Sequence, residues 1–115
     1  MVIDVTQPGR LVVLTGRLDV ASVADVRLVL HAAVDAFDAG CDDLFVDASA
    51  VESIDASGLG VLVGAHRRAG RAGRRLVVAA ASAPVLRMLH LTKLDRVLCL
   101  TSEVPQARVP LAAAG

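Results

Sequence analysis

The sequence has neither tryptophan nor tyrosine, and only two phenylalanines in 115 residues. A platform of aromatic rings on which single-stranded nucleic acid could stack is therefore nearly excluded. The core has to be built from Val, Leu, Ile and Ala, within a composition that is 55% hydrophobic. Charge of one sign is lacking too: twelve basic and twelve acidic side chains give a formal net charge of +0. No bulk field draws such a chain to nucleic acid or to an anionic membrane, and a protein partner or a small ligand fits the balance better. Cys41 and Cys99 are the only cysteines, far apart and without a second motif, which suggests neither a disulfide framework nor a zinc site and points to a reducing compartment. Long apolar runs are missing as well. A stretch such as Leu76 to Leu86 falls short of the ~20 residues that span a bilayer, and Met1-Val2-Ile3-Asp4 has no basic or apolar leader character. We therefore expect a cytoplasmic chain, with no membrane and no direct nucleic-acid contact, folding as one domain.

What is present alternates between strand and helix patterns. Val2, Ile3 and Val5, then Leu11 to Leu14, are two β-branched runs joined through Gln7-Pro8-Gly9, which predicts a β-hairpin. After Gly16-Arg17-Leu18-Asp19, the residues Val26, Val29, Leu30, Ala33, Val34 and Phe37 recur at helical spacing, with Ser22 and Asp25 as a capping box and Gly40 as a stop. A strand is expected at Leu44 to Asp47, a helix from about Gly58 to Ala69 closed by Gly70 and Gly73, and a strand at Leu76 to Ala80. Ser82 and Pro84 then open a short helix carrying Val85, Met88 and Leu89, and Val97 to Leu100 reads as an edge strand. The order β-β-α-β-α-β-α-β predicts an α/β fold with a mixed sheet: a leading antiparallel hairpin, then parallel βαβ units packed with helices. Residues 104–115, with Pro105 and Pro110, are expected to be a flexible tail.

The stretch 44 to 66 concentrates the chemistry. Between an apolar strand and the series Leu59, Leu62, Val63, His66 lie Asp47, Ser49, Glu52, Ser53, Asp55 and Ser57, read as a polar turn leading into a helix. The unsatisfied N–H groups and positive dipole of a helix start suit a cap, an anion or a phosphorylated serine. One of Asp55 and Ser57 caps the helix, but capping needs one such residue and not a cluster. Gly58, Gly60 and Gly64 each cost about 0.8–1.0 kcal/mol relative to Ala inside a helix; close packing explains Gly64, while Gly58 and Gly60 suit packing and partner approach equally. Neither a dinucleotide fingerprint nor a phosphate loop is completed. Asp55 and Leu59 occupy the places where a nucleophile elbow around Ser57 needs glycine. His31, His66 and His90 fall on three separate helical segments without metal-ligand spacing, so a serine hydrolase is the weakest reading. The run Arg67, Arg68, Arg71, Arg74, Arg75 reads first as a solvated helix end, complementing the dipole, and second as a contact for an acidic partner.

The run Leu44-Phe45-Val46-Asp47-Ala48-Ser49-Ala50-Val51-Glu52-Ser53-Ile54-Asp55-Ala56-Ser57-Gly58-Leu59-Gly60-Val61-Leu62 is similar to the signature of the STAS domain, in particular of stand-alone bacterial anti-sigma factor antagonists. Gly16-Arg17-Leu18-Asp19 and the segment Val85 to Asp95 extend the resemblance over residues 2 to 102 and imply a STAS fold, with the domain at 1–103. The resemblance implies that Ser57 is phosphorylated by an anti-sigma factor that is also a serine kinase. It further implies that Asp19, Asp55, Ala56, Ser57, Gly58, Leu59 and Gly60 form the partner-binding surface, and that a PP2C-type phosphatase resets the switch. ATP belongs to the kinase, and no cofactor and no enzymatic activity are implied for this chain. A regulatory STAS module of a larger stress-signalling or transport complex, not phospho-switched, is the alternative. Arg17 stands where the family usually has an acid, and Ala56 where it often has serine. Pro105 and Pro110 interrupt the place of the family's last helix.

Overall fold

The chain turns first at Pro8-Gly9, where Gly9 takes φ +73° and the Arg10 N–H donates to the Gln7 carbonyl at 2.9 Å. That turn joins β1 (Val2–Gln7) to β2 (Leu11–Leu18) as the expected antiparallel hairpin. The computed structural model describes residues 1–36 and 43–105. Phe37 as a helix position, Gly40 as a helix stop and the tail beyond Pro105 therefore lie outside the described residues. After β2 come α1 (Val23–Asp35), β3 (Asp43–Ile54), α2 (Ala56–Arg71), β4 (Arg75–Ala79), α3 (Ala83–Thr92), a single 3-10 turn (Leu94–Arg96) and β5 (Cys99–Thr101). The strands lie in the order β1-β2-β3-β4-β5, with every pairing after the hairpin parallel.

Three successive crossovers step the same way across the sheet. Right-handed connections then bring α1, α2 and α3 to one face. The core sits there: Val12, Leu14, Leu44, Val46, Leu76 and Val78 from the sheet meet Val26, Leu30, Leu62, Val85 and Leu89 from the helices. Residues paired with those core positions but one step off, Leu11, Phe45, Val77 and Cys99, form a row on the opposite face. The hydrophobic spacing in α1 and α3 is therefore the core-facing spacing; Val26, Leu30, Ala33, Val34, Val85 and Leu89 are all buried.

Three local expectations are corrected. First, the stretch from Ala48 to Ile54 is strand, not turn: β3 continues along β2, pairing Thr15 with Ala50, Gly16 with Val51, Arg17 with Ser53 and Leu18 with Ile54. Register shifts between Val13 and Thr15 and between Gly16 and Arg17 break the period-2 pattern, so its polar residues read as a turn. Second, Ser22 does not make a capping box; its hydroxyl donates back to the Arg17 carbonyl at 2.8 Å. Ser82 likewise precedes α3 without a side-chain cap, its hydroxyl donating to the Val51 carbonyl at 2.7 Å. Third, α2 starts at Ala56 and ends at Arg71, so Gly70 lies inside it. The stop is Gly73 at φ +73°, with Arg74 N–H reaching the Ala69 carbonyl at 2.8 Å and Gly73 N–H the Gly70 carbonyl at 3.2 Å, the paired bonds of a Schellman motif.

Candidate functional site

Because β2 and β3 are parallel neighbours, Leu18 and Ile54 end side by side, and the loop leaving each strand meets the other. Asp55 joins them. Its backbone N–H donates to the Leu18 carbonyl at 3.2 Å, one carboxylate oxygen accepts from Gly58 N–H at 2.9 Å, and the other accepts from Val20 N–H at 3.2 Å. One side chain thereby caps α2 and fastens the loop before α1. That loop is itself held: Asp19 accepts from Ala21 N–H at 3.0 Å, and the Ser22 hydroxyl accepts from Asp19 N–H at 3.1 Å.

Gly58 is where the two segments touch. A Cβ there would lie 2.3 Å from the Leu18 carbonyl oxygen, so only glycine lets α2 approach β2 so closely. At Gly60 and Gly64 nothing among the described residues lies within 4 Å of a Cβ. Packing therefore accounts for Gly58 and not for Gly64, the reverse of the sequence expectation for the latter. Leu59, named among the partner-binding candidates, is buried in the core and anchors the helix. Ala56, Ser57 and Gly60 are exposed, with Ser57 in the first turn of α2.

Val20 was not singled out by sequence reasoning, yet it is 73% exposed and bonded through its N–H to the cap of α2. The available signal was an isolated valine between Asp19 and Ala21, ahead of the helical pattern and outside it. Beside the loop is an open polar depression of about 420 Å³, lined in part by Arg17, Asp19, Ser22 and Glu52. Both oxygens of the Asp55 carboxylate accept backbone N–H groups, so the acid nearest Ser57 in sequence is engaged as a cap. His90 lies against Asp95 at 3.4 Å, and His66 has its Nδ1 buried with no hydrogen-bond partner among the described residues. The arrangement presents a hydroxyl at a positive helix end.

The arginine run divides. Arg68 pairs with Asp35 at 2.7 Å and Arg75 with Asp43 at 2.8 Å; the hydrogen-bonded Arg68 guanidinium holds the Asp35 carboxyl below its ordinary range. Arg74 is not a solvated cation, because it is buried and donates to the Ala33 and Val34 carbonyls at 2.8 and 2.9 Å and to the Gly9 carbonyl. It satisfies carbonyls in the last turn of α1. Arg67 and Arg71 remain exposed.

A family model described as Mlab, STAS domain, matches residues 3–101. No curated protein matches the chain significantly. Among solved structures, a Thermotoga maritima protein provisionally assigned as an anti-sigma factor antagonist is 27% identical, with a TM-score of 0.67 over 82% of this chain and 80% of that one. An anti-sigma factor antagonist from Mycobacterium paratuberculosis is similar in fold, at 24% identity and a TM-score of 0.72 over 90% of this chain and 85% of that one. So is the anti-sigma factor antagonist SpoIIAA in its unphosphorylated form, at 18% identity and a TM-score of 0.64 over 90% of this chain and 87% of that one. The Bacillus cell fate determinant SpoIIAA in its phosphorylated form matches at 18% identity and a TM-score of 0.62 over 88% of this chain and 90% of that one.

Proposed function

Since the chain belongs to the STAS domain family, we propose that it is an anti-sigma factor antagonist switched by phosphorylation at Ser57. In its unphosphorylated form it binds a serine-kinase anti-sigma factor and frees a sigma factor; phosphorylation breaks that complex, and a PP2C-type phosphatase restores it. The observation that carries the reading is the division of labour at the start of α2. Asp55 already supplies the cap, so the exposed Ser57 is not needed for the helix and is left available to a partner. Ala56 and Gly60 are exposed in the same first turns of α2, and the loop carrying Asp19 and Val20 is tied to that helix start through Asp55.

The physics of the switch follows from that position. The kinase transfers the terminal phosphoryl group of its own ATP to the Ser57 hydroxyl, which gives up its proton. The product carries about −1.5 to −2 charges at neutral pH. A helix N-terminus tolerates this charge, so the fold is expected to be kept. The same charge, beside Asp55 and against a desolvating partner surface, costs several kcal/mol, and every ~1.4 kcal/mol is tenfold in affinity.

The test is a pull-down from native extract with wild type, Ser57→Ala and Ser57→Asp, the retained proteins being identified by mass. Wild type and Ser57→Ala retain a kinase-type anti-sigma factor, Ser57→Asp releases it, and only wild type gains phosphate by intact-mass measurement. A Ser57→Asp protein that holds its kinase as well as wild type does would sink the reading. Binding without phosphate on Ser57 under any condition would move it to a regulatory module of a larger assembly.

A further inference from the structure

Two ties fix how α1 and α2 lie. At one end Val20, just ahead of α1, donates its N–H to Asp55, the cap of α2. At the other, Asp35 at the end of α1 pairs with Arg68 in the last turn of α2. The helices therefore run side by side in one direction, with Ser57 at the end where they begin. Helical spacing places Arg27, His31 and Asp35 in a row along α1, and Gly60, Gly64, Arg68 and Arg71 in a row along α2.

The two halves of this seam differ in character. Toward the start, neither Gly60 nor Gly64 has a neighbour among the described residues within 4 Å of a would-be Cβ. Glycine is poorly suited to a helix interior, and nothing within the described chain requires it at either place. Toward the end the surface is cationic. Burial, then Arg68 and Arg27, and more weakly Arg71, push the His31 pKa below its ordinary value, and among the described residues only Asp35 opposes them. Those guanidinium groups therefore act on one spot, and the opposing carboxylate is already engaged by Arg68. Leu28, beside Arg27, is 71% exposed.

We infer that the seam between α1 and α2 docks an acidic amphipathic helix of the protein partner that reads Ser57. The inference rests on the partner-binding reading of the Ser57 surface and adds the chemistry of the segment that binds. A local excess of cations on a chain of formal net charge +0 complements carboxylates. The bare glycine backbone admits a second helix closely, and Leu28 and Val20 offer apolar contact at its edges, as in helix-in-groove recognition. Nucleic acid is the poorer occupant, for want of stacking aromatics and net positive charge.

The experiment titrates isotope-labelled full-length protein with a synthetic helical peptide, glutamates on one face and alanine and leucine on the other. A ribo-oligonucleotide of equal charge serves as the control. The peptide is expected to shift the amides of Arg27, Leu28, His31, Gly64, Arg68 and Arg71. Affinity should fall about tenfold in Arg27→Glu/Arg71→Glu, and should weaken as added salt shortens the Debye length from about 10 Å toward about 3 Å. Gly64→Leu, which blocks the seam and keeps every charge, should also weaken binding, with thermal melts verifying that each variant is folded. Shifts elsewhere, affinity unchanged in both variants, or preference for the oligonucleotide would overturn the inference. The partner recovered in the Ser57 comparison gives a second arm. If Ser57→Asp releases it but Arg27→Glu/Arg71→Glu retains it, the docking inference fails and the switch stands. If release ignores Ser57, the switch fails, and the peptide titration decides the seam by itself.

Discussion

A methyl group added at Gly58 would press on the Leu18 carbonyl oxygen at 2.3 Å, whereas one added at Gly60 or Gly64 would meet nothing among the described residues within 4 Å. Gly58→Ala should therefore destabilise the fold by about 1–3 kcal/mol, the usual cost of overpacking. Gly64→Ala should stabilise it by up to about 1 kcal/mol, the helix-propensity difference. Urea unfolding of the two variants checks both signs. Asp55→Ala should lose about 0.5–2 kcal/mol with the cap and free the Val20 amide to exchange with solvent, while Asp55→Asn should keep most of both. These differences were not legible in the sequence, where three glycines at similar spacing look alike. What separates them is the distance to a strand that lies forty residues earlier in one case and to nothing in the others, roughly the loop-closure range that no local pattern encodes.

At the scale of elements, the end of α1 is held by a residue from beyond the end of α2. Arg74→Met should cost about 1.5–3 kcal/mol, because charge-assisted bonds to the Ala33 and Val34 carbonyls vanish; the loss should appear as earlier unfolding in urea and as faster amide exchange at the end of α1. The same pair of helices carries a pH response. His31 has its pKa lowered from the ordinary 6.5 by burial, Arg68 and Arg27. The unfolded chain then binds the proton more readily than the folded one. Stability contributed by neutral His31 is thus fully present above that ordinary value and declines as pH falls through it toward the folded pKa. His31→Gln should flatten this part of the stability profile. Helix existence was readable here from the spacing of Val26, Leu30, Ala33 and Val34. Its closing device was not, since an arginine in a basic run looks solvated until the fold shows it buried at 5% exposure.

For the whole molecule, one face of a five-stranded sheet is covered by helices, and Ser57 lies in the first turn of α2, just past the point where two parallel strands end together. A charge placed there is expected to be read by a partner without reorganising the core; Ser57→Asp should therefore melt within about 2 °C of wild type while losing the partner, since surface substitutions away from packed features usually cost under ~0.5 kcal/mol. A large drop in melting temperature would mean that the release came from unfolding. The sequence by itself determined the order of strands and helices, the leading hairpin, the mixed sheet and the serine at a helix start, because periodicity, turn residues and capping chemistry are local. Tertiary structure alone decided that β3 runs on to Ile54 along β2, that Asp55 caps α2 and fastens the Val20 loop, and that Arg74 is interior. Each of those depends on backbone groups brought together from distant parts of the chain, whose satisfied bonds exist only once the strands have paired.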